Sequence, residues 1–241
     1  MAAPINVTGG PRFDLPRTTR PASDVVRGLG ISLLDQQALP EFTDPPAKFD
    51  PMFASDESLV HIRHRNIRIL SNYWHAGWAR SFPEMQLRSG AADALYKVAD
   101  SLPERFGLAV FDAYRPLELQ AELYEAAYAD PALPPGFVAE PLENIATPPP
   151  HSTGGTVDLT LTVDGTPLSI GTDFDDFSDL ANTRAFEDRP GHDRDLRRLL
   201  YWHMRAGGFI VLHCEWWHFE YGTRRWGAIR NKQPFYGRVD L

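Results

Sequence analysis

The chemistry legible in this chain sits in two well separated segments: His151 and Asp158 in PPHSTGGTVDLTL, and Glu215 and His218 in CEWWHFEYG. Two imidazoles and a carboxylate form a donor set for zinc, which at catalytic sites commonly takes three protein ligands and keeps one tetrahedral position for water. His151, Asp158 and His218 fill that set. Glu215, close in sequence to His218, adds a carboxylate able to take the proton of an attacking water. Taken singly, His151 has a plainer reading as a loop histidine, and Asp158 as a solvated residue on the polar face of a strand. The Gly154-Gly155 pair lifts the stretch above those readings, since it lets the backbone turn sharply between the two candidate ligands.

The elements that must position these groups show in the periodicity. TVDLTLTV alternates strictly, with Val157, Leu159, Leu161 and Val163 on one side and Thr156, Asp158, Thr160 and Thr162 on the other. Asp164-Gly165 signals a hairpin after it. FIVLHC reads as a later strand. In a regular strand Glu215 and His218 would face opposite sides, so a bulge or turn at the end of FIVLHC must bring them together. GLAVFDAYRP reads as a short buried strand ending near Arg115, with Pro116 opening a helix through Leu117, Leu123 and Ala127. An arginine at such a junction is by default a turn residue or a partner of Asp112, yet a guanidinium there can also stabilise charge that develops only in a transition state. Met85 to Ser101 carry Leu87, Ala91, Leu95, Val98 and Ala99 at helical spacing. A second helix is expected from Asp193, with Leu196, Leu199, Leu200 and Met204 inward and Gly207-Gly208 at its end. LVHIRHRNIRIL reads as one strand with a basic, solvated face.

This order of elements predicts an α+β fold: a single domain over residues 58–241, with a central antiparallel sheet flanked by helices. Residues 1–57, rich in proline and acid and weak in periodicity, read as an N-terminal arm lying on the surface. At 241 residues, the chain suffices for one large domain that buries roughly 70% of its unfolded surface. No apolar run approaches the ~20 residues of a membrane helix. A net charge of -8 lacks the basic footprint of a nucleic-acid or anionic-membrane partner, so a small solute is expected instead. MAAPINVTGGPRFDLPRTTR has neither a compact apolar segment nor a small-residue cleavage site, and Cys214 is alone; a cytoplasmic location is expected.

HSTGGTVDLTL followed by EWWHFEYG, with FDAYRP upstream, resembles the zinc D-alanyl-D-alanine dipeptidases over about residues 59 to 241. They belong to a wider group of zinc D-Ala-D-Ala peptidases whose fold is shared by the Hedgehog signalling domain. The pattern is a histidine, a glycine three later, an aspartate seven later, and then Glu-Trp-Trp-His; here these are His151, Gly154, Asp158, Glu215, Trp216, Trp217 and His218. The resemblance implies one zinc on His151, Asp158 and His218, Glu215 as the general base that passes its proton to the leaving amine, and Arg115 as the group that steadies the oxyanion. It also implies a small dipeptide substrate of cell-wall type, with Asp175 of IGTDFDDFSD gripping the amino group and Trp216 and Tyr114 beside the substrate. Asp173 and Asp176 are neighbours that compete with Asp175 for that role. The same run has a plainer reading as an exposed acidic turn; it also suggests calcium, but lacks the sixth-position glycine of an EF-hand loop.

Pro149 in place of a serine and Thr156 in place of an alanine depart from the pattern. They leave the metal chemistry intact and bear on how the carboxyl end of a dipeptide is held. The arm exceeds the family's usual length and is expected to act as a lid or as an oligomer contact, as in a homodimer. Cys214 is expected in the core, His213 behind the metal ligands, and Trp74, His75 and Trp78 in packing or in an aromatic wall beside the site. Two other functional classes stand beside the hydrolase. A non-haem iron oxygenase also uses two histidines and one carboxylate, but has no need of the adjacent glutamate. A non-catalytic zinc-binding module, as among the Hedgehog relatives, needs neither Glu215 nor Arg115.

Overall fold

The computed structural model describes residues 12–13, 17–33, 35–43, 45–46, 55–129, 131, 138–142 and 147–239. In chain order the elements are β1 (Arg20–Pro21), α1 (Ala22–Gly28), β2 (Leu59–His61), β3 (Ile67–Ile69), α2 (Asn72–Ala76), β4 (Gln86–Arg88), α3 (Ser89–Ser101), β5 (Phe106–Asp112), α4 (Leu117–Ala127), β6 (Thr156–Val163), β7 (Thr166–Ser169), α5 (His192–Ala206), β8 (Ile210–Leu212), β9 (Glu215–Glu220) and α6 (Arg224–Arg230). Among them no helix is long and apolar enough to cross a membrane.

The strictly alternating TVDLTLTV becomes β6, the centre of the main sheet. One edge pairs antiparallel with β5, from Phe106 opposite Val163 to Asp112 opposite Asp158. The other edge is shared, by β7 at the Thr162–Val163 end and by β9 at the end that carries Asp158, which stands opposite His218. Registry alone therefore sets an aspartate from β5, one from β6 and a histidine from β9 side by side. Val157, Leu159, Leu161 and Val163 are fully buried, each worth about 1.5–3 kcal/mol relative to exposure. The opposite face of β6 is covered too: the Thr160 hydroxyl donates to the Leu168 carbonyl at 2.7 Å. The plain reading of Asp158 as a solvated strand residue is thereby excluded.

The sheet is mixed and not purely antiparallel, because β3 runs parallel to β5, and β1 runs parallel to β7. Between β3 and β5 the chain passes through α2, β4 and α3, the kind of crossover that parallel neighbours need. LVHIRHRNIRIL is two strands and not one: β2 pairs with β4 in a separate two-stranded sheet, while β3 joins the main one. The helix expected from Met85 starts at Ser89, after β4. α5 turns Leu196, Leu199, Leu200 and Met204 inward as their spacing requires, and packs against α3, β6 and β8.

The described parts of residues 1–57 are mostly exposed or half-buried but are fastened to the domain at a few points. β1 extends the sheet along β7, and Ala22, Val25 and Val26 of α1 are buried where α1 meets α5. Leu39 is buried as well. Elements this short carry no readable period; tertiary contacts specify them. Residues 47–54, and with them any lid or homodimer contact they make, lie outside the described residues, as does most of the proline-rich loop from 130 to 146.

Candidate metal centre and active site

His151 stands on a single 3₁₀ turn, Pro150–Thr153, that ends at Gly154 with φ of 70°. A Cβ on Gly155 would lie 2.3 Å from the Tyr221 carbonyl oxygen. The first glycine makes the left-handed turn; the second lets β6 start against the backbone that follows β9. The ring is then locked from behind, with Nδ1 2.6 Å from the Ala113 carbonyl. Nδ1–H donates there, which turns Nε2 toward Asp158 Oδ2 at 3.2 Å.

The distortion that the spacing of Glu215 and His218 demands is present. Pairing of β8 with β9 slips between Val211 opposite Phe219 and Leu212 opposite Glu215, so extra β9 residues bulge out. Glu215 Oε2 consequently lies 3.5 Å from His218 Nδ1, and that same nitrogen is 3.1 Å from Asp158 Oδ1. The ligand atoms of His151, Asp158 and His218 all fall within 4.8 Å of one another, and all three residues are buried. Asp158 Oδ1 has no hydrogen-bond partner. A buried carboxylate with one oxygen left unpaired, and with an imidazole nitrogen facing each of its oxygens, is an acceptor that a cation satisfies, so the residues fit a zinc ion.

Around this cluster the charges are predominantly acidic. Asp112, Asp158, Asp175, Glu215 and Glu220 face the guanidinium groups of Arg115 and Arg225. Burial opposes the charge on Asp158, but His151 and His218 outweigh it and hold its carboxyl well below the usual range. Burial also opposes a charge on His218, yet the neighbouring carboxylates of Asp158 and Glu220 raise it to about 10. Glu215 is pushed up to about 7, first by burial and then by Asp158, with His218 opposing. Asp175 is raised well above its ordinary value by burial and by Asp158.

Arg115 is buried and fully engaged. Nε and Nη2 meet Asp112 Oδ2 at 2.9 and 2.8 Å, Nη1 donates to Gln120 Oε1 at 2.8 Å, and Nη2 stands 3.6 Å from Asp158 Oδ2. Pairing with Asp112 and a place in the site, alternatives in the sequence, are both realised. Asp175, with φ of 57°, points into the same cavity and accepts from the Tyr73 hydroxyl at 2.9 Å. Its neighbours are spoken for: Asp173 accepts from the Thr19 hydroxyl, and Asp176 from the Ser178 amide.

Asp158, His151, His218, Glu215, Arg115 and Asp175 thus line one cavity of about 230 Å³. Trp216 and Tyr114 do not. The indole of Trp216 is buried in the core, where Nε1 donates to Thr172 Oγ1 at 2.8 Å and the Arg197 guanidinium lies 5.3 Å from the ring. Tyr114 is buried against Phe82, with ring centroids 6.3 Å apart. His213 is exposed in the turn between β8 and β9, and Cys214 is only half-buried there. Three further groups escaped the sequence reading. Tyr73 comes from a helix remote in the chain and has no spacing signal, Asp112 showed only as a partner for Arg115, and Glu220, two residues past His218 on β9, is the acid behind that histidine, 3.3 Å from its Nε2.

The Peptidase_M15 family, D-ala-D-ala dipeptidase, matches residues 88–235. A D-alanyl-D-alanine dipeptidase of Synechocystis sp. is 30% identical over 169 residues, an alignment covering 54% of this chain and 68% of that protein. One of Escherichia coli K12 is 35% identical over 114 residues, covering 47% and 54%. The crystal structure of the vancomycin resistance D,D-dipeptidase VanXYg in complex with a D-Ala-D-Ala phosphinate analog is similar at 19% identity, with a TM-score of 0.37 over 71% of this chain and 61% of that one. The matched stretch takes in more than half of the chain, including His151, Asp158, Glu215, His218 and Arg115, and on that ground the chain belongs to the D-ala-D-ala dipeptidase family.

Proposed function

We propose that the protein is a zinc-dependent dipeptidase that hydrolyses D-alanyl-D-alanine or a similarly small dipeptide. The observation that carries this reading is the convergence, in one small cavity, of a two-histidine, one-aspartate donor set with a base, Glu215, beside it and an acid, Asp175, across from it. At about 230 Å³ the cavity is smaller than the roughly 300 Å³ at which pockets for drug-sized ligands begin, which suits a substrate of two small residues.

His151, Asp158 and His218 would hold the zinc, which when bound supplies Lewis acidity, lowering the pKa of water and polarising a carbonyl oxygen. Glu215 accepts a proton from the attacking water at its carboxylate and hands it to the leaving amine. A value of about 7 matches a group that must both take and give a proton near neutrality. The side chain keeps 18% of its surface exposed, enough to meet substrate. Arg115, fixed by Asp112 and Gln120, keeps its positive charge and turns it toward the oxyanion that forms at the scissile carbonyl. Asp175 is a buried acid that the substrate's ammonium would pair with, and the Tyr73 hydroxyl fixes its orientation.

Glu215→Gln removes the base and keeps the shape. Turnover of D-alanyl-D-alanine is expected to fall by about 10²–10⁴-fold, with zinc still bound near one per chain. Unchanged turnover removes Glu215 from the mechanism. Metal analysis of protein purified without added metal separates the remaining class: iron with 2-oxoglutarate turnover would assign the same triad to an oxygenase.

A further inference from the structure

We infer that Phe13, from the N-terminal segment, is a specificity-determining wall of the substrate cavity, limiting the side chain on the residue whose amino group Asp175 holds. The inference rests on the dipeptidase reading and adds to it a residue that lies well ahead of the family match at 88–235. Phe13 lines the same cavity as Tyr73, Asp175 and Phe177. Its ring lies 5.0 Å from that of Trp78 and meets Phe177 edge-on at 5.3 Å. Trp78 is itself buried and stands edge-on to Tyr73 at 6.2 Å. Phe13, Phe177 and Tyr73 line the cavity together with Asp175, and Trp78 backs Phe13 and Tyr73 from the core, so a side chain next to an amine on Asp175 shares its space with the rings of Phe13 and Phe177. A surface of this kind offers no hydrogen bond and discriminates by size and apolarity.

Thr18 and Thr19, five and six residues after Phe13, are tied beside the polar groups. The Thr18 hydroxyl donates to Asn72 Oδ1 at 3.2 Å, and the Thr19 hydroxyl donates to Asp173. Asn72 adjoins Tyr73, and Asp173 is two residues from Asp175. β1 then fastens the chain to β7 directly afterwards. These contacts therefore tie the chain just after Phe13 to the two residues that flank the Tyr73–Asp175 pair.

The full-length, zinc-loaded protein and its Phe13→Ala and Phe13→Leu variants test this with D-alanyl-D-alanine and D-leucyl-D-alanine. kcat/KM is measured in the active protein, and Kd by calorimetry in the Glu215→Gln background, where the substrate survives. Phe13→Ala is expected to raise the preference for D-leucyl-D-alanine relative to D-alanyl-D-alanine by about tenfold or more in both measurements, and Phe13→Leu by less, in the same direction. An unchanged ratio overturns the inference. So does an equal loss for both dipeptides with a lowered Tm, which would make Phe13 a fastener only. Where Phe13→Ala does not fold, the sign of the shift in Phe13→Leu decides. Binding without cleavage by the wild type would remove the dipeptidase reading and leave the Kd ratio to judge the wall; cleavage with an unmoved ratio does the reverse. Binding of neither dipeptide removes both.

Discussion

His218 takes its orientation from Glu220. One carboxylate oxygen sits 3.3 Å from Nε2, and the other accepts the Thr223 hydroxyl, so Nδ1 is left to face Asp158. An acid behind a metal-facing imidazole fixes its tautomer and raises its basicity. Glu220→Gln is therefore expected to weaken zinc binding by about 10–100-fold, read by competition with a chromophoric chelator, with the fold unchanged. Equal affinity would mean that Glu220 serves only to pack Thr223 and Arg225. The clue was present in EWWHFE, since residues two apart on a strand share a face. The cluster of His151, Asp158, His218 and Glu215 was legible because the chemistry proposed for it needs particular residue types. The place of Trp216 was not legible: membership in a motif says nothing of which way a ring points, and the bulge that brings Glu215 to His218 leaves Trp216 in the core.

The Gly154-Gly155 turn and the slipped β8–β9 pairing are two of the local irregularities that assemble the site. Regular elements came through in the sequence: β6 by its period of two, α5 by its helical spacing, the hairpin by Asp164-Gly165. The bulge was required by the 215–218 spacing, though its register depended on partners far along the chain. β3 was hidden for another reason, as a turn at Arg65-Asn66 splits one apparently continuous apolar–basic run between two sheets. Because an added Cβ at position 155 would meet backbone and not a yielding side chain, Gly155→Ala is expected to destabilise by about 1–3 kcal/mol. Urea unfolding measures it. Wild-type stability in that variant would show that the strands have room to part.

At the scale of the molecule, one ion pair ties the N-terminal segment to α5. Glu187 meets Arg198 through both carboxylate oxygens, at 2.9 and 2.7 Å, while the Leu39 amide and the Gln36 carbonyl join the same pair. Burial raises the Glu187 pKa, but the hydrogen bonds and charge of Arg198 outweigh it, so the group lies below its ordinary value of 4.5. With the folded value the lower one, its contribution is complete above that ordinary value and fades as pH falls through the folded one. Glu187→Gln is expected to cost about 1.5–3 kcal/mol at pH 7, with the gap to wild type closing in acid below the usual glutamate range. A gap of constant size from pH 7 to pH 3, followed by thermal melting, would assign the effect to shape and not to charge.

The crossover from β3 through α2 to β5 carries a last consequence. The family match opens at residue 88, on the last residue of β4. A gene trimmed to that border would encode half a vessel: a β5 margin stripped of β3, an Asp175 without the phenol that steadies it, and α5 bared where α1 now shelters it. The family match and the folded unit draw different frontiers on this chain.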